Sequence, residues 1–249
     1  MKYLLKAIAL AGLLVATGAQ AADLGGSKDV EVVDTWWQAG DIFVRVRGEA
    51  FIPETSTNSW SSNVASLNPD VHVDTTAIPE LDLSYFLTKN VAFELICCVG
   101  ETQINSAAGI RALGEVGTTW FFPPTLLIQY HWDLTTFGCC NFKPYLGIGA
   151  NYTWFFNEDA NYGSVGKFKN LKLDSAGGVA LQAGFDYHLS GNWFLNVDFK
   201  QFFLATEAHV TSDYLSPWNN KVGVNVTLDP IVVGAGIGYR FGTTYVPLK

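Results

Sequence analysis

The chain has 249 residues; 49% are hydrophobic, 14% aromatic and only 15% charged, and the formal net charge is −8. That acidity argues against nucleic acid as a partner, because binding a phosphate backbone needs an excess of Lys and Arg. Beyond the N-terminus no segment is a continuous apolar run of the roughly 20 residues a membrane helix requires.

Met1 to Lys6 carries two lysines, Ala7 to Val15 is apolar, and Thr17-Gly18-Ala19-Gln20-Ala21 offers small residues in an Ala-x-Ala arrangement. This is the pattern of a secretory signal peptide over residues 1–21, cleaved after Ala21. An uncleaved anchor fits less well, since the apolar stretch is too short to span a bilayer comfortably. Cleavage removes Lys2 and Lys6 and leaves 13 basic against 23 acidic side chains, a net −10. Residues 22–40 are polar and mixed, with Trp36-Trp37 near their end, and read as a periplasmic N-terminal arm.

From Asp41 onward the dominant pattern is alternation with period 2, the mark of strands with two different faces. The first strand, Asp41 to Pro53, sets Ile42, Val44, Val46 and Ile52 on one face and Phe43, Arg45, Arg47, Glu49 and Phe51 on the other. Charged side chains cannot face acyl chains cheaply, so the charged face is expected to line a lumen. A polar stretch, Glu54 to Asp74, reads as a long loop. The second strand, Thr75 to Leu87, places Leu81, Leu83, Tyr85 and Leu87 outward and Glu80, Asp82 and Ser84 inward. After the short turn Thr88-Lys89-Asn90 comes a third strand, Val91 to Val99, with Glu94 inward, and then a loop to about Thr118.

The fourth strand, Thr119 to Trp132, has Leu126, Ile128, Tyr130 and Trp132 outward and Gln129 and His131 inward. Pro123-Pro124 must sit at a bulge or irregular edge, since proline gives no donor to the ladder. The fifth runs from Pro144 to Phe156, followed by a loop from Asn157 to Asp174. The sixth spans Ser175 to Leu189, with Gln182, Asp186 and His188 inward, and Ser190-Gly191-Asn192 turns into the seventh, Trp193 to Leu204, with Asn196, Asp198 and Lys200 inward. A last loop reaches about Lys221. The eighth strand ends at Phe241, and residues 242–249 form a C-terminal tail.

Connections therefore alternate long and short. The expectation is all-β: an eight-stranded antiparallel transmembrane β-barrel over residues 41–241, in the outer membrane, with long extracellular loops and short periplasmic turns. Outward aromatics fall into two belts, as bilayer interfaces select: Tyr85, Tyr130, Trp132, Tyr187, Trp193, Tyr239 and Phe241 at the periplasmic ends, and Trp120, Phe122, Trp154, Phe156 and Phe203 at the outer ends. Expected partners are outer-membrane lipid, the barrel-insertion machinery and small hydrophobic molecules, with the barrel a monomer.

A barrel of about eight strands has an interior only wide enough for side chains or one small ligand. Sorting inward residues by height gives an upper apolar pocket of Phe51, Ile78, Ile96, Phe121, Phe155, Phe202 and Leu228. Below it lies a polar plug of Arg45, Arg47, Glu49, Glu80, Asp82, Glu94, His131, Asp186, Asp198, Lys200 and Arg240, in which opposite charges should pair. A hydrophobic solute entering from outside would meet charges below, and sideways escape through the wall near Pro123-Pro124 or Pro230 would avoid them. Replacing Gly147 by Trp is expected to fill the pocket, and removal of Phe155 to disturb it. Core filling by the aromatics, and a purely structural role for the charges, are the plainer alternatives.

Four cysteines form the pairs Cys97-Cys98 and Cys139-Cys140. Their spacing is not that of a zinc site, and the pairs are expected at different heights, too far apart to bridge. The four histidines, His72, His131, His188 and His209, fall into no catalytic triad, and no phosphate loop or metal-ligand spacing occurs, so neither enzymatic activity nor a cofactor or metal is expected.

Several stretches resemble the OmpW family of small outer-membrane barrels. They are Gly40-Asp41 with Val44-Arg45, Pro123-Pro124-Thr125 through Gln129-Tyr130-His131, and Lys143-Pro144-Tyr145 through Gly149. Further matches are Asn151-Tyr152-Thr153 with Phe155-Phe156, Gln182-Ala183-Gly184 with Asp186-Tyr187, Asn192-Trp193-Phe194-Leu195-Asn196, and Leu228-Asp229-Pro230 with Gly238-Tyr239-Arg240-Phe241. The resemblance implies an eight-stranded barrel with a largely apolar lumen and passage of small hydrophobic molecules across the outer membrane. A structural or receptor barrel, whose outer loops bind phage, toxin or host surfaces without transport, is the alternative. The cysteine pairs and the tail after Phe241 depart from the family pattern.

Overall fold

The structure, a computed structural model, describes residues 37–60, 69–108, 111, 114–133, 141–161, 168–212 and 221–242. The expected signal peptide, most of the arm, Cys139-Cys140 and the tail after Gly242 lie outside these residues.

Fifteen strands follow one another among the described residues: β1 (Ile42–Ile52), β2 (Ser56–Trp60), β3 (Pro69–Val73), β4 (Thr76–Phe86), β5 (Val91–Cys98), β6 (Gly100–Ala108), β7 (Glu115–Phe122), β8 (Thr125–His131), β9 (Phe142–Ala160), β10 (Phe168–Leu173), β11 (Ala176–Ser190), β12 (Trp193–Phe203), β13 (Ala205–Ser212), β14 (Lys221–Thr227) and β15 (Ile231–Phe241). Eight of them close on themselves in the order β1-β4-β5-β8-β9-β11-β12-β15, all antiparallel, with β15 pairing back onto β1 from Ile42↔Phe241 to Ile52↔Ile231. Closure leaves the eight strands without a free edge, which is what a bilayer demands of strands.

The alternation read from sequence appears directly as burial. Along β4, Leu81 and Leu83 are 43% and 46% exposed while Glu80 and Asp82 are 3% and 1% exposed. A charged interior with a greasy exterior is the inverse of a soluble sandwich, and only a hydrocarbon solvent makes it favourable. Trp193 packs edge-on against Tyr239, and Tyr130 against Trp132, at the lower ends of their strands; Phe122 stacks on Trp154 higher up.

The long connections are not the polar loops expected. They carry strands that prolong the barrel upward. β10, β13, β14 and β2 form one four-stranded sheet, and β9, β7, β6 and β3 continue a second. Their outward residues are polar because they face water. Their inward residues, such as Val71, Ile104, Leu171 and Val224, are buried against each other. The fourth expected strand is likewise two segments. Pro123 and Pro124 interrupt it, so β8 pairs with β5 and β7 with β6.

Candidate functional site

The lumen is divided by height. At the bottom, Trp37 enters the barrel mouth and is 1% exposed. Its indole stacks on Phe86 (ring centroids 4.5 Å apart) and Phe194 (5.0 Å), with Phe43 at 4.7 Å. The Lys143 ammonium lies 5.8 Å from the indole centroid. Two backbone bonds, Gly40 N–H to Phe86 O and Phe86 N–H to Asp41 O, tie this segment to the end of β4. The sequence places Trp37 in the periplasmic N-terminal arm, because a tryptophan outside any strand carries no periodic signal.

Above this aromatic stopper sits an ion network. Arg45 Nη1 donates to Asp82 Oδ1, Glu94 Oε1 and Ser84 Oγ at 2.8–2.9 Å, while its Nε and Nη2 clamp Asp186 at 3.2 and 3.1 Å. Arg47 reaches Glu80 from Nε (2.8 Å) and Asn196 Oδ1 from Nη1 (2.8 Å), and its Nη2 lies 2.8 Å from Asp82 Oδ2. Lys200 Nζ stands among Asp198 (2.6 Å), Glu49 (2.5 Å) and Glu80 (3.0 Å). Gln129 and Gln182 donate to Glu94 Oε2, and Tyr145 donates to Asp198. His131 Nε2 meets Gln129 Oε1 at 3.1 Å, and its ring lies 5.0 Å from Phe86, so it joins the network to the stopper. Unpaired charges in so narrow a space would be untenable, and dense cross-strand pairing makes this floor a closed one.

Glycines make the network possible. Arg47 faces Gly236 across the β1–β15 ladder, and Glu49 faces Gly234. A Cβ on Gly234 would lie 2.6 Å from Glu49 Cγ, and one on Gly236 would collide with the carbonyl oxygen of Val46 and with Arg47. The long β1 side chains lie across a strand wall with no side chains of its own.

Above the network the lumen turns apolar. Phe51, Ile78, Ile96, Phe121, Phe155, Phe202 and Leu228, the seven residues of the expected pocket, line one cavity of about 690 Å³, part of it continuous with solvent. Phe51 and Phe121 pack ring to ring at 4.7 Å. Glu49 and Glu80 form its floor. Val73, Ile104, Leu173 and Leu228 also line a second cavity between the two upper sheets, whose walls include Val71, Phe168, Leu171, Val210, Val224 and Val226. The two cavities thus share a wall. The upper one was missed in the sequence, although Lys221-Val222-Gly223-Val224-Asn225-Val226 carries the alternation that marks it.

The wall beside the lower cavity is thin in ladder pairs. β5–β8 pairing ends at Ile96↔Thr125 and β6–β7 pairing begins at Gly100↔Phe121. Between them Cys97, Cys98 and Val99 face Phe122, Pro123 and Pro124 with no ladder pair. On the other side β9 seals the proline break: Asn151 Nδ2 donates to the carbonyls of Pro123 and Pro124 and to Thr125 Oγ1, and Tyr152 N–H donates to Pro124 O. The break at Pro230 is bridged as well, by Phe202 N–H to Pro230 O and Gln201 Nε2 to Asp229 O. Cys97 and Cys98 are free thiols, and Cys98 lines the cavity.

Two sequence expectations are corrected. Arg240 lies lower than the other residues of the expected plug. It pairs across from Phe43, level with the aromatic stopper, and its Nη2 donates to Asn192 Oδ1 at the lower rim (3.3 Å). Gly147 does not line the apolar pocket. A Cβ there would lie 2.7 Å from Gln182 Oε1 and 3.4 Å from Gln129 Cγ, within the ion network, so a tryptophan at this position would break the plug instead of filling the pocket.

Comparison with known proteins agrees with this architecture. The chain is 39% identical to the outer-membrane protein y4mB of Sinorhizobium fredii, over 96% of this chain and 97% of that protein. It is 33% identical to outer membrane protein W of Vibrio cholerae, over 82% and 90%. Its structure superposes on the crystal structure of the outer membrane protein OprG from Pseudomonas aeruginosa with a TM-score of 0.71 at 29% identity, covering 83% of this chain and 98% of that one. The OmpW family profile matches residues 38–241, the whole barrel. The chain therefore belongs to the OmpW family, and it is an outer-membrane β-barrel.

Proposed function

We propose that this barrel carries small apolar molecules from outside the cell into the outer membrane. The observation that supports this most is the division of the lumen: an apolar cavity open toward the upper sheets and closed below by a buried ion network. A solute would enter between the upper sheets, rest against Phe51, Ile96 and Phe121, and be refused further descent, since apolar groups gain nothing from entering a fully paired charged layer. The exit would be lateral, into the bilayer, between the Cys97–Val99 and Phe122–Pro124 segments, where the ladder has no pairs. The name of one relative points the same way: a protein of the dibenzothiophene metabolism operon of Pseudomonas aeruginosa, PahQ, is 30% identical over 64% of this chain.

The test fills the cavity. Thr153 is buried and lines it, so Thr153→Trp should occupy the space in a barrel that still folds. Cells expressing the wild-type chain are expected to take up radiolabelled octane several times faster than cells expressing Thr153→Trp. A folded Thr153→Trp barrel with undiminished octane uptake would contradict the proposal.

A further inference from the structure

The lateral gap beside the cavity has an inner cover. The ladder ends at Ile96↔Thr125 below the gap and resumes at Gly100↔Phe121 above it. Phe121 is thus the first paired residue over the gap, and its side chain is buried and turned into the cavity. A Cβ on Gly100 would lie 2.7 Å from Phe121 Cζ, 3.0 Å from Phe121 Cε1 and 2.5 Å from Ile78 Cγ2. The ring therefore reaches from β7 across to the bare backbone of β6, where it meets Ile78, and the missing side chain of Gly100 is what leaves room for it. Phe51 packs against the same ring, at 4.7 Å between centroids.

The two rims of the gap are held. Intact ladder pairs above and below keep them near the ordinary strand spacing of about 4.8 Å. On the β9 side, Asn151 Nδ2 donates to the carbonyls of Pro123 and Pro124 and to Thr125 Oγ1, which pins the proline rim to its neighbour. What separates cavity from lipid at the gap is side chains and not paired backbone, and on the cavity side the largest of them is Phe121. We infer that Phe121 is the selector of the lateral exit, passing unbranched apolar chains and holding back branched bodies of the same carbon number. This rests on the reading of the cavity as a solute site with a lateral exit. A thin chain needs the ring only to tilt. A branched carbon needs it to leave Phe51 and Ile78 altogether, because the rims do not yield. Phe155 supplies the control. It faces Phe121 in the β7–β9 ladder and lines the same cavity, but on the side of β7 away from the gap. Removing either ring enlarges the cavity, and only removal of Phe121 uncovers the exit.

The experiment measures uptake of radiolabelled n-octane and of its branched isomer isooctane by cells expressing the full chain, each corrected for cells that lack it. The wild type is expected to favour octane about tenfold, the low end of what a methyl-sized difference is worth at an apolar site. Phe121→Ala should bring the ratio close to one, and Phe155→Ala should keep the wild-type preference. Phe121→Leu, a milder change, should lower the ratio in the same direction and serves if the alanine variant does not fold. Equal uptake of the two isomers by the wild type would overturn the inference and leave the apolar carrier standing. So would a preference that persists undiminished in a folded Phe121 variant, or one lost in folded Phe155→Ala, which would assign selection to cavity volume. If octane uptake by the wild type does not exceed that of cells lacking the chain, the reading of the barrel as a carrier falls, and the selector with it.

Discussion

Lys200 is the side chain on which the floor of the lumen depends most. It is 1% exposed, and its ammonium is shared by Asp198 at 2.6 Å, Glu49 at 2.5 Å and Glu80 at 3.0 Å. Lys200→Met keeps an unbranched chain of similar length but removes the charge, leaving three carboxylates with oxygens within 4.8 Å of one another and Arg47 as the cation they share. Removing one partner of a buried ion pair costs about 3–5 kcal/mol, because the remaining charge stays buried. Part of that is recovered if a carboxylate takes a proton, so the lower end of the range is the expected loss. Reversible urea unfolding in lipid vesicles, followed by tryptophan fluorescence, measures it. The double variant Glu49→Met with Lys200→Met should be less destabilised than the sum of the single changes by at least about 1 kcal/mol, since the two residues share one network. The three freed carboxylates also form an oxygen-rich site of the kind calcium prefers, so millimolar calcium should restore stability to Lys200→Met and not to wild type. A loss below about 1 kcal/mol, or strict additivity in the double variant, would refute the claim that this is a mutually paired network.

Two other perturbations probe the lower half. Trp37→Ala should cost about 3–5 kcal/mol, the usual range for deleting a fully buried large aromatic, and should let a small water-soluble quencher reach Tyr145 from the periplasmic side; unchanged stability and accessibility would mean that the indole seals nothing. Gly236→Val drives a side chain into the Val46 carbonyl and the Arg47 stem, so it should slow or abolish folding into vesicles, while Gly191→Ala, in an exposed turn with open space around it, should fold with at most about 1 kcal/mol lost to its positive φ; equal folding yields for the two would contradict the view that β15 is bare in order to seat the β1 side chains.

The barrel was legible in the sequence because its two solvents differ so sharply. Leu81, Asp82 and Leu83 alternate between hydrocarbon and a charged interior, and such a signal survives without any knowledge of neighbours. The heights of Phe51, Ile96 and Phe121 followed from counting along strands of similar length, and these residues do line one cavity. The upper sheets were harder to see. Above the bilayer the outward face meets water, so a stretch such as Gly223 to Asn225 looks like a loop unless the alternate valines are weighed. Arg240 was misassigned because its inward parity is correct but its height is not: it lies level with Phe43, below the charged layer. Gly147 was misassigned for the same reason, since its place beside Gln182 is set by the β9–β11 register and not by its own strand. Trp37, outside every strand, had neither parity nor height to read.

The division of the lumen can be tested at one stroke by intermolecular NOEs between protonated octane and the methyl-labelled barrel in deuterated nanodiscs. Cross-peaks are expected to the methyls of Ile78, Ile96 and Leu228 and not to that of Ala92, which is buried in the aromatic layer beneath the charges. Cross-peaks confined to the outward methyls of Leu81 and Ile128 would show that apolar solute never enters the barrel, and a cross-peak to Ala92 would show that the charged floor does not stop it.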